Sequence, residues 1–266
     1  MTVNPTPDLS DVELSAALAT AAGELLLSVR ADSGLSGREL GDAGDRRSDD
    51  FLQEQLARLR PDDAVLSEES ADDLSRLDAG RVWIVDPVDG TREYGTEGRA
   101  DWAVHVALWA TAPGTGGGLV AGSVALPALG LTYSSDDAPV APAAGLAPPR
   151  TDRPRVVVSG SRPPVFADAV ADALNAELVA VGSAGAKAMA VVRGEADAYV
   201  HGGGQFEWDS AAPVAVARAK GLWCSRIDGS PLLYNRRDTY LPDLIVCRPE
   251  LSEAIIAAIA VAPTQA

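Results

Sequence analysis

The sequence predicts an α/β protein in two halves. Residues 1–152 form an N-terminal α+β part with an antiparallel sheet, and residues 153–266 form an α/β part. Three observations predict this. The chain has 266 residues, 47% of them hydrophobic, enough to bury a substantial core. Between 101 and 134, alternating apolar runs are separated by turn residues, the pattern of an antiparallel meander. After an Ala- and Pro-rich stretch at 136–154, strand patterns and helix patterns alternate. That stretch is the natural boundary between the halves.

Ser10 opens SDVE, a capping box with Glu13. Leu14, Leu18, Ala21 or Ala22, Leu25 and Val29 follow at helical spacing, which predicts an amphipathic helix to about residue 30. Residues 31–44 are rich in Gly, Ser and Asp without periodicity and read as a mobile loop. A second helix carries Phe51, Leu52, Leu56 and Leu59 and stops at Pro61. Asp45 lies near its start, where a carboxylate commonly serves as a cap or a dipole partner. A short strand at 64–67 ends on Glu68 and Glu69. Val82, Trp83, Ile84 and Val85 read as a buried strand, and Pro87, without an N–H, is expected to end it. Trp102, Val104, Val106 and Leu108 alternate with Ala103, His105 and Ala107, giving a strand with two faces and His105 as a satisfied strand residue. The glycine run at 114–118 precedes another strand, not a helix, so it fits a hairpin turn and not a nucleotide loop. Residues 119–126 and 131–134 complete the meander.

In the second half, strands are expected at 156–159, 178–181, 196–201, 222–225 and 244–247. Helices are expected at 165–175, 184–193, 210–219 and 249–260. The chain contains no internal repeat.

The formal net charge is −16, which argues against a nucleic-acid polymer as partner, since phosphate backbones need Lys and Arg. It does not exclude an anionic small molecule, because a bound cation reverses the sign of a pocket. Cys224 and Cys247 sit in apolar runs and read as buried, reduced thiols; no Cys/His spacing suits zinc. The first residues are polar and Pro-rich, without a basic leader, and no run is expected to span a bilayer. A cytoplasmic protein without a membrane partner is the expectation.

The chemistry concentrates at RVWIVDPVDGTRE, residues 81–93. Asp86 and Asp89 stand three residues apart on a turn, followed by Gly90 and Thr91. Paired carboxylates bind hard divalent cations, and free backbone N–H groups bind phosphate oxygens. If the 64–67 and 82–85 strands are neighbours, Glu68 and Asp86 converge at one sheet end. Asp209, in WDSAAP before an Ala-rich helix, reads alone as an N-cap. Four acids nevertheless stand at element ends: Glu68, Asp86, Asp89 and Asp209. A metal site drawing on several segments has this form.

The ordered set Asp45, Glu68-Glu69, DPVDGT at 86–91 and Trp208-Asp209 resembles the inositol monophosphatase superfamily, over most of the chain. GSAGAKAMAVVRGEADAY at 182–199 resembles a further segment of that family. Glu207 before Trp208-Asp209, Lys187, the VVSGSRP stretch at 157–163 and DGSPLLYN at 228–235 are similar to its 3′(2′),5′-bisphosphate nucleotidase branch. Arg162 replaces a His usual in that branch, and Leu241-Pro242 stands where Leu-Asn-Pro is usual. The resemblance implies a layered α-β-α-β-α sandwich of sugar-phosphatase type, with the site in the cleft between the halves.

It also implies roles. Glu68, Asp86 and the Val88 carbonyl would hold one Mg²⁺, and Asp86, Asp89 and Asp209 a second. Glu68 would help hold a third. Gly90 and Thr91 N–H groups would cradle the scissile phosphate, with Asp209 also facing the substrate. The Thr91 hydroxyl and Asp45 would orient the attacking water. Ser161, Arg162, Lys187 and Tyr234 are candidates for the second phosphate, ribose or base, each equally readable as an ordinary surface residue. The implied activity is Mg²⁺-dependent, lithium-sensitive removal of the 3′-phosphate from adenosine 3′,5′-bisphosphate, and from its 5′-phosphosulfate relative, in sulfate assimilation. The implied assembly is a homodimer. An inositol monophosphatase or fructose-1,6-bisphosphatase on the same fold is the alternative, followed by a silent phosphate-binding protein.

Overall fold

Helices and sheets alternate in five layers in the computed structural model, which describes residues 5–112, 114, 116–136 and 153–262. The first layer holds α1 (Asp11–Asp32) and α2 (Gly37–Leu59). The second is a sheet of β1 (Ala64–Ser67), β2 (Arg81–Asp89), β3 (Ala103–Ala110), β4 (Gly118–Leu126) and β5 (Leu131–Ser134), in that spatial order. A short α3 (Thr91–Tyr94) follows β2. The second half contributes β6 (Arg155–Ser159), α4 (Ala167–Leu174), β7 (Glu177–Val181), α5 (Ala184–Val192), β8 (Ala198–Gly202), α6 (Glu207–Ala219), β9 (Trp223–Ser225), β10 (Asp243–Cys247) and α7 (Ser252–Val261). Its sheet runs β7-β6-β8-β10-β9. Helices α5 and α6 fill the layer between the sheets, and α4 and α7 cover the far face.

Period-2 alternation along β2 divides its side chains between two cores. Trp83 and Val85 pack with Leu14, Leu18, Leu52 and Leu56 of the outer helices. Val82 and Ile84 face inward, in a core shared with Met189, Ala211, Val214 and Val246. One continuous core therefore joins the two halves through α5 and α6.

Four expectations change. The first sheet is mixed, not antiparallel: β1 runs parallel to β2, with Ser67 opposite Val85, while the remaining pairs are antiparallel. The strand does not end at Pro87. Its pairing with β3 skips from Asp86 to Asp89, and the proline's missing N–H falls in that irregularity. Most of the predicted 31–44 loop is helix, because α2 begins at Gly37. Its glycines are packing sites: a Cβ on Gly44 would lie 2.4 Å from the Tyr94 ring, and one on Gly41 would lie 2.7 Å from Thr91 Cγ2. They let α2 press against α3. Finally, α1 is long and apolar enough to cross a membrane by length and composition. Its Leu14, Leu18, Ala22 and Leu26 are nonetheless fully buried, as an amphipathic core helix requires.

The capping box of Ser10 and Glu13 forms as predicted. Strands β3 and β4 pair antiparallel, so the glycine run between them is a hairpin connection. Of the Ala- and Pro-rich 136–154 stretch, residues 137–152 lie outside the described residues, as does the boundary at 152.

Candidate active site

Parallel pairing of β1 and β2 brings Glu68 and Asp86 to the same sheet end, one residue beyond the Ser67–Val85 pair. Asp86 is 1% exposed. Its Oδ1 accepts the Val88 N–H at 3.1 Å, which folds the chain back toward Asp89. The Val88 carbonyl stands 3.2 Å from the Thr91 hydroxyl, and that hydroxyl is also 3.2 Å from Asp45 Oδ1. Asp45 lies well inside α2, not near its start. The Gly41 and Gly44 contacts with α3 hold it over Thr91.

Asp89 is cradled by the start of α5. Its Oδ1 accepts the Ala184 N–H at 3.1 Å and its Oδ2 the Gly185 N–H at 2.5 Å. Asp89 therefore sits on the positive end of that helix, which Ser183 caps through Ala186 N–H. On its other side lies His105, fully buried, with Nε2 3.1 Å from Asp89 Oδ2. His105 Nδ1–H donates to the Trp208 carbonyl at 3.1 Å. His105 thus links the first half to the residue before Asp209, a role beyond that of a satisfied strand residue.

Asp209 is the third residue of α6. It is therefore not the N-cap, which is Phe206; its Oδ2 instead reaches back to accept the Phe206 N–H at 2.8 Å. It also joins a cluster: one carboxylate oxygen each from Asp86, Asp89 and Asp209 lie within 4.8 Å of one another. Glu68 stands outside that trio.

Buried like charges raise each other's pKa unless a cation intervenes. Burial, then the charges of Glu68, Asp89 and Asp209, hold Asp86 well above the usual carboxylate range. Burial and Asp89 push Asp209 up to about 6, against the pull of Phe206 N–H, His105 and Lys187. Burial and Glu69 push Asp45 up to about 7. Glu68 is pushed to about 8 by crowding protein and then by Asp209, Glu69, Asp89 and Asp45, though its exposed edge lets water temper the shift. Asp89 alone falls: burial would raise it, but His105, Lys187 and the Gly185 N–H outweigh that. All-oxygen donors carrying several charges in mutual repulsion fit a hard divalent cation such as Mg²⁺.

This electrostatic conflict predicts an inverted pH dependence for metal-free protein. Between the unfolded values near 4 and the raised folded values, the folded chain holds protons that the unfolded chain has released. Stability therefore falls as pH rises. In a chelator the protein should melt lower at pH 8 than at pH 6. Asp45 is half-buried, so water screens part of its shift, and its difference stays under about 1 kcal/mol, or about 2–4 °C in Tm at most. Excess Mg²⁺ should shrink the gap; a Tm that climbs from pH 6 to 8 in chelator would contradict the cluster.

Gly90 sits at φ +88°, and a Cβ there would lie 2.8 Å from Ser183 Cβ. The left-handed turn and the close approach both require glycine. The Gly90 and Thr91 N–H groups find no acceptor among the described residues. They open a cleft of about 540 Å³ that runs past Asp89 and Asp209 to Ser161, Arg162 and Lys187. Lys187 is buried at its floor, donating to the carbonyls of Gly182 and Ser183, at 2.8 Å for the latter. Ser161 and Arg162 are exposed on the wall. Tyr234 does not belong with them. It is buried, its hydroxyl lies 3.1 Å from Ser210 Oγ, and it is absent from the cleft lining. Its ring belongs to the core shared by the halves.

The chain is 52% identical over 261 residues to the 3′-phosphoadenosine 5′-phosphate phosphatase of Mycobacterium leprae, covering 95% of this chain and 94% of that one. It is 30% identical over 212 residues to the 3′(2′),5′-bisphosphate nucleotidase CysQ of Escherichia coli K12, covering 75% and 81%. The inositol monophosphatase structure from Anabaena superposes with a TM-score of 0.72 at 20% identity, covering 95% and 96%. The model of the inositol monophosphatase family matches residues 9–263. With that match spanning nearly the whole sequence, and with relatives of such identity, the chain belongs to the inositol monophosphatase family.

Proposed function

We propose that the protein removes the 3′-phosphate of adenosine 3′,5′-bisphosphate, yielding AMP and phosphate. The observation that carries this is the continuity, in one cleft, of Asp89 and Asp209 of the trio with the exposed Arg162 on the wall and Lys187 at the floor. In a chain of net charge −16, such a wall suits a second anionic group on the substrate. The name borne by the relative from Mycobacterium leprae supports the same substrate.

Asp86, Asp89 and Asp209, with Glu68 and the Val88 carbonyl, would hold two or three Mg²⁺ ions. Bound Mg²⁺ supplies an acidified water and charge neutralisation at phosphate oxygens. The protein's own groups do the rest. Gly90 and Thr91 N–H groups fix the scissile phosphate. The Thr91 hydroxyl and Asp45 orient the attacking water, with Asp45 accepting a hydrogen bond. Ser161, Arg162 and Lys187 hold the 5′-phosphate end. The 5′-phosphosulfate relative of the nucleotide carries the same 3′-phosphate, which would place the enzyme in sulfate assimilation; a cytoplasmic homodimer is the assembly we propose with it.

The test is phosphate release from adenosine 3′,5′-bisphosphate, inositol 1-phosphate and fructose 1,6-bisphosphate, with and without Mg²⁺ and Li⁺. The nucleotide should be hydrolysed with the highest kcat/KM, only with Mg²⁺, and should be inhibited by Li⁺. Equal turnover of inositol 1-phosphate would overturn the nucleotide assignment, and no release from any of the three would leave a binding protein.

A further inference from the structure

The base of the proposed nucleotide has no partner in Tyr234, which lies in the core. Another set of rings lies open next to Gly204 and Gln205, which line the cleft; Tyr240 itself lines the neighbouring pocket. Phe206 is 38% exposed and Tyr240 is 47% exposed. Phe206 stacks on Trp208 with ring centroids 5.0 Å apart and planes 11° apart, and Tyr240 meets Phe206 edge-on at 5.5 Å. Exposed aromatic clusters of this kind mark binding surfaces more than packing ones.

These rings are held rigidly. Phe206 and Tyr240 form an isolated antiparallel bridge. The Glu207 N–H donates to the Thr239 carbonyl at 2.9 Å, and the Leu241 N–H to the Gln205 carbonyl at 3.0 Å. The Tyr240 hydroxyl accepts the Gly204 N–H at 3.3 Å. A platform fixed before binding loses little entropy when a ligand arrives.

The patch is also joined to the chemistry. The Phe206 N–H is the group bonded to Asp209 Oδ2. Gly204 lines the cleft, and a Cβ there would sit 3.1 Å from Arg162 Nη1. The Arg162 guanidinium therefore lies over the same peptide that the Tyr240 hydroxyl grips. A planar guanidinium beside aromatic faces is the surface that nucleobases stack on.

We propose that Phe206 and Tyr240, beside the Arg162 guanidinium, form the nucleobase subsite of this cleft. This rests on the nucleotidase reading above and assigns the base to the segment leading into α6 and the 238–241 loop. The occupant is a planar heteroaromatic ring carried by a phosphorylated sugar. A sugar or polyol phosphate without a base gains nothing from it.

The experiment compares kcat/KM for adenosine 3′,5′-bisphosphate with that for glycerol 2-phosphate, at saturating Mg²⁺, in Tyr240→Ala and Phe206→Ala. Loss of one stacking ring should lower the nucleotide-to-glycerol ratio about tenfold, mainly through KM for the nucleotide. Tyr240→Trp should restore it. The Kd for AMP, read by calorimetry on the same proteins, should rise by a similar factor. Unchanged ratios and unchanged AMP affinity in both ring variants would overturn the subsite. A wild-type protein that leaves the bisphosphate intact would instead overturn the activity, and the AMP affinities would then decide the subsite alone.

Discussion

Asp209→Asn should reduce Mg²⁺-dependent hydrolysis by more than about a hundredfold while leaving the fold intact. Groups that merely support metal ligands are worth about 10–100-fold, and Asp209 supplies an oxygen to the trio itself. The amide keeps the shape of the carboxylate. Its remaining oxygen can still accept the Phe206 N–H that caps α6. What is lost is the charge, and with it the cation's reason to sit between the halves. A stability measurement separates this from damage to the fold. In the wild type, Asp209 is pushed up to about 6 by burial and Asp89, so its ionised form is unwelcome in metal-free protein. Removing that charge should leave Tm in chelator unchanged or raised at pH 8. The rise in Tm expected from Mg²⁺ on the wild type should be largely absent in the variant. Turnover at the wild-type rate would mean that the cation is bound elsewhere.

Much of this site is legible in local sequence because its chemistry sits on local structure. Asp86, Asp89, Gly90 and Thr91 are neighbours in the chain, and the proline between the acids marks an irregular strand end. Glu68 could be placed beside Asp86 because two short apolar strands separated by about a dozen residues tend to be neighbours. The residues that were not legible act across long separations. His105 is an unremarkable member of an alternating strand until α6 sets the Trp208 carbonyl against its ring. The cradle of Asp89 comes from Ala184 and Gly185, 95 and 96 residues away. Gly41 and Gly44 read as loop formers because glycine lowers helix propensity, but tertiary contact with Thr91 and Tyr94 decides their conformation. Tyr234 drew a binding role from its chemistry, since an aromatic ring suits adenine; burial against Ser210 removes it from the cleft.

Arg76→Ala should destabilise the protein by about 3 kcal/mol and loosen the metal site without touching it. Arg76 is 1% exposed, the most deeply buried charged side chain outside the acid cluster among the described residues, together with Glu207. Its guanidinium binds Asp72 at 2.8 Å within its own loop. It then reaches into the second half, to Asn235 Oδ1 at 2.6 Å and the Arg236 carbonyl at 2.8 Å. The N–H groups of Asn235 and Arg236 in turn donate to the two oxygens of Glu207, at 2.7 and 2.8 Å. Glu207 opens α6 two residues before Asp209. The network therefore runs from the loop after Glu68 to the helix start that carries Asp209, bridging the two sides of the carboxylate cluster. Truncation would strand the buried Asn235 Oδ1 and leave the partly buried Arg236 carbonyl without its donor. The expected fall in Tm is about 6–12 °C. Mg²⁺ concentration for half-maximal activity should rise at temperatures where the variant is fully folded, because Asp209 is no longer held from both sides. Arg76→Lys should recover only part of either effect, since one ammonium cannot span Asp72, Asn235 and Arg236 as the planar fork does. A variant that melts within about 1 °C of the wild type and keeps its Mg²⁺ requirement would show that the shared core under α5 and α6 suffices to register the halves.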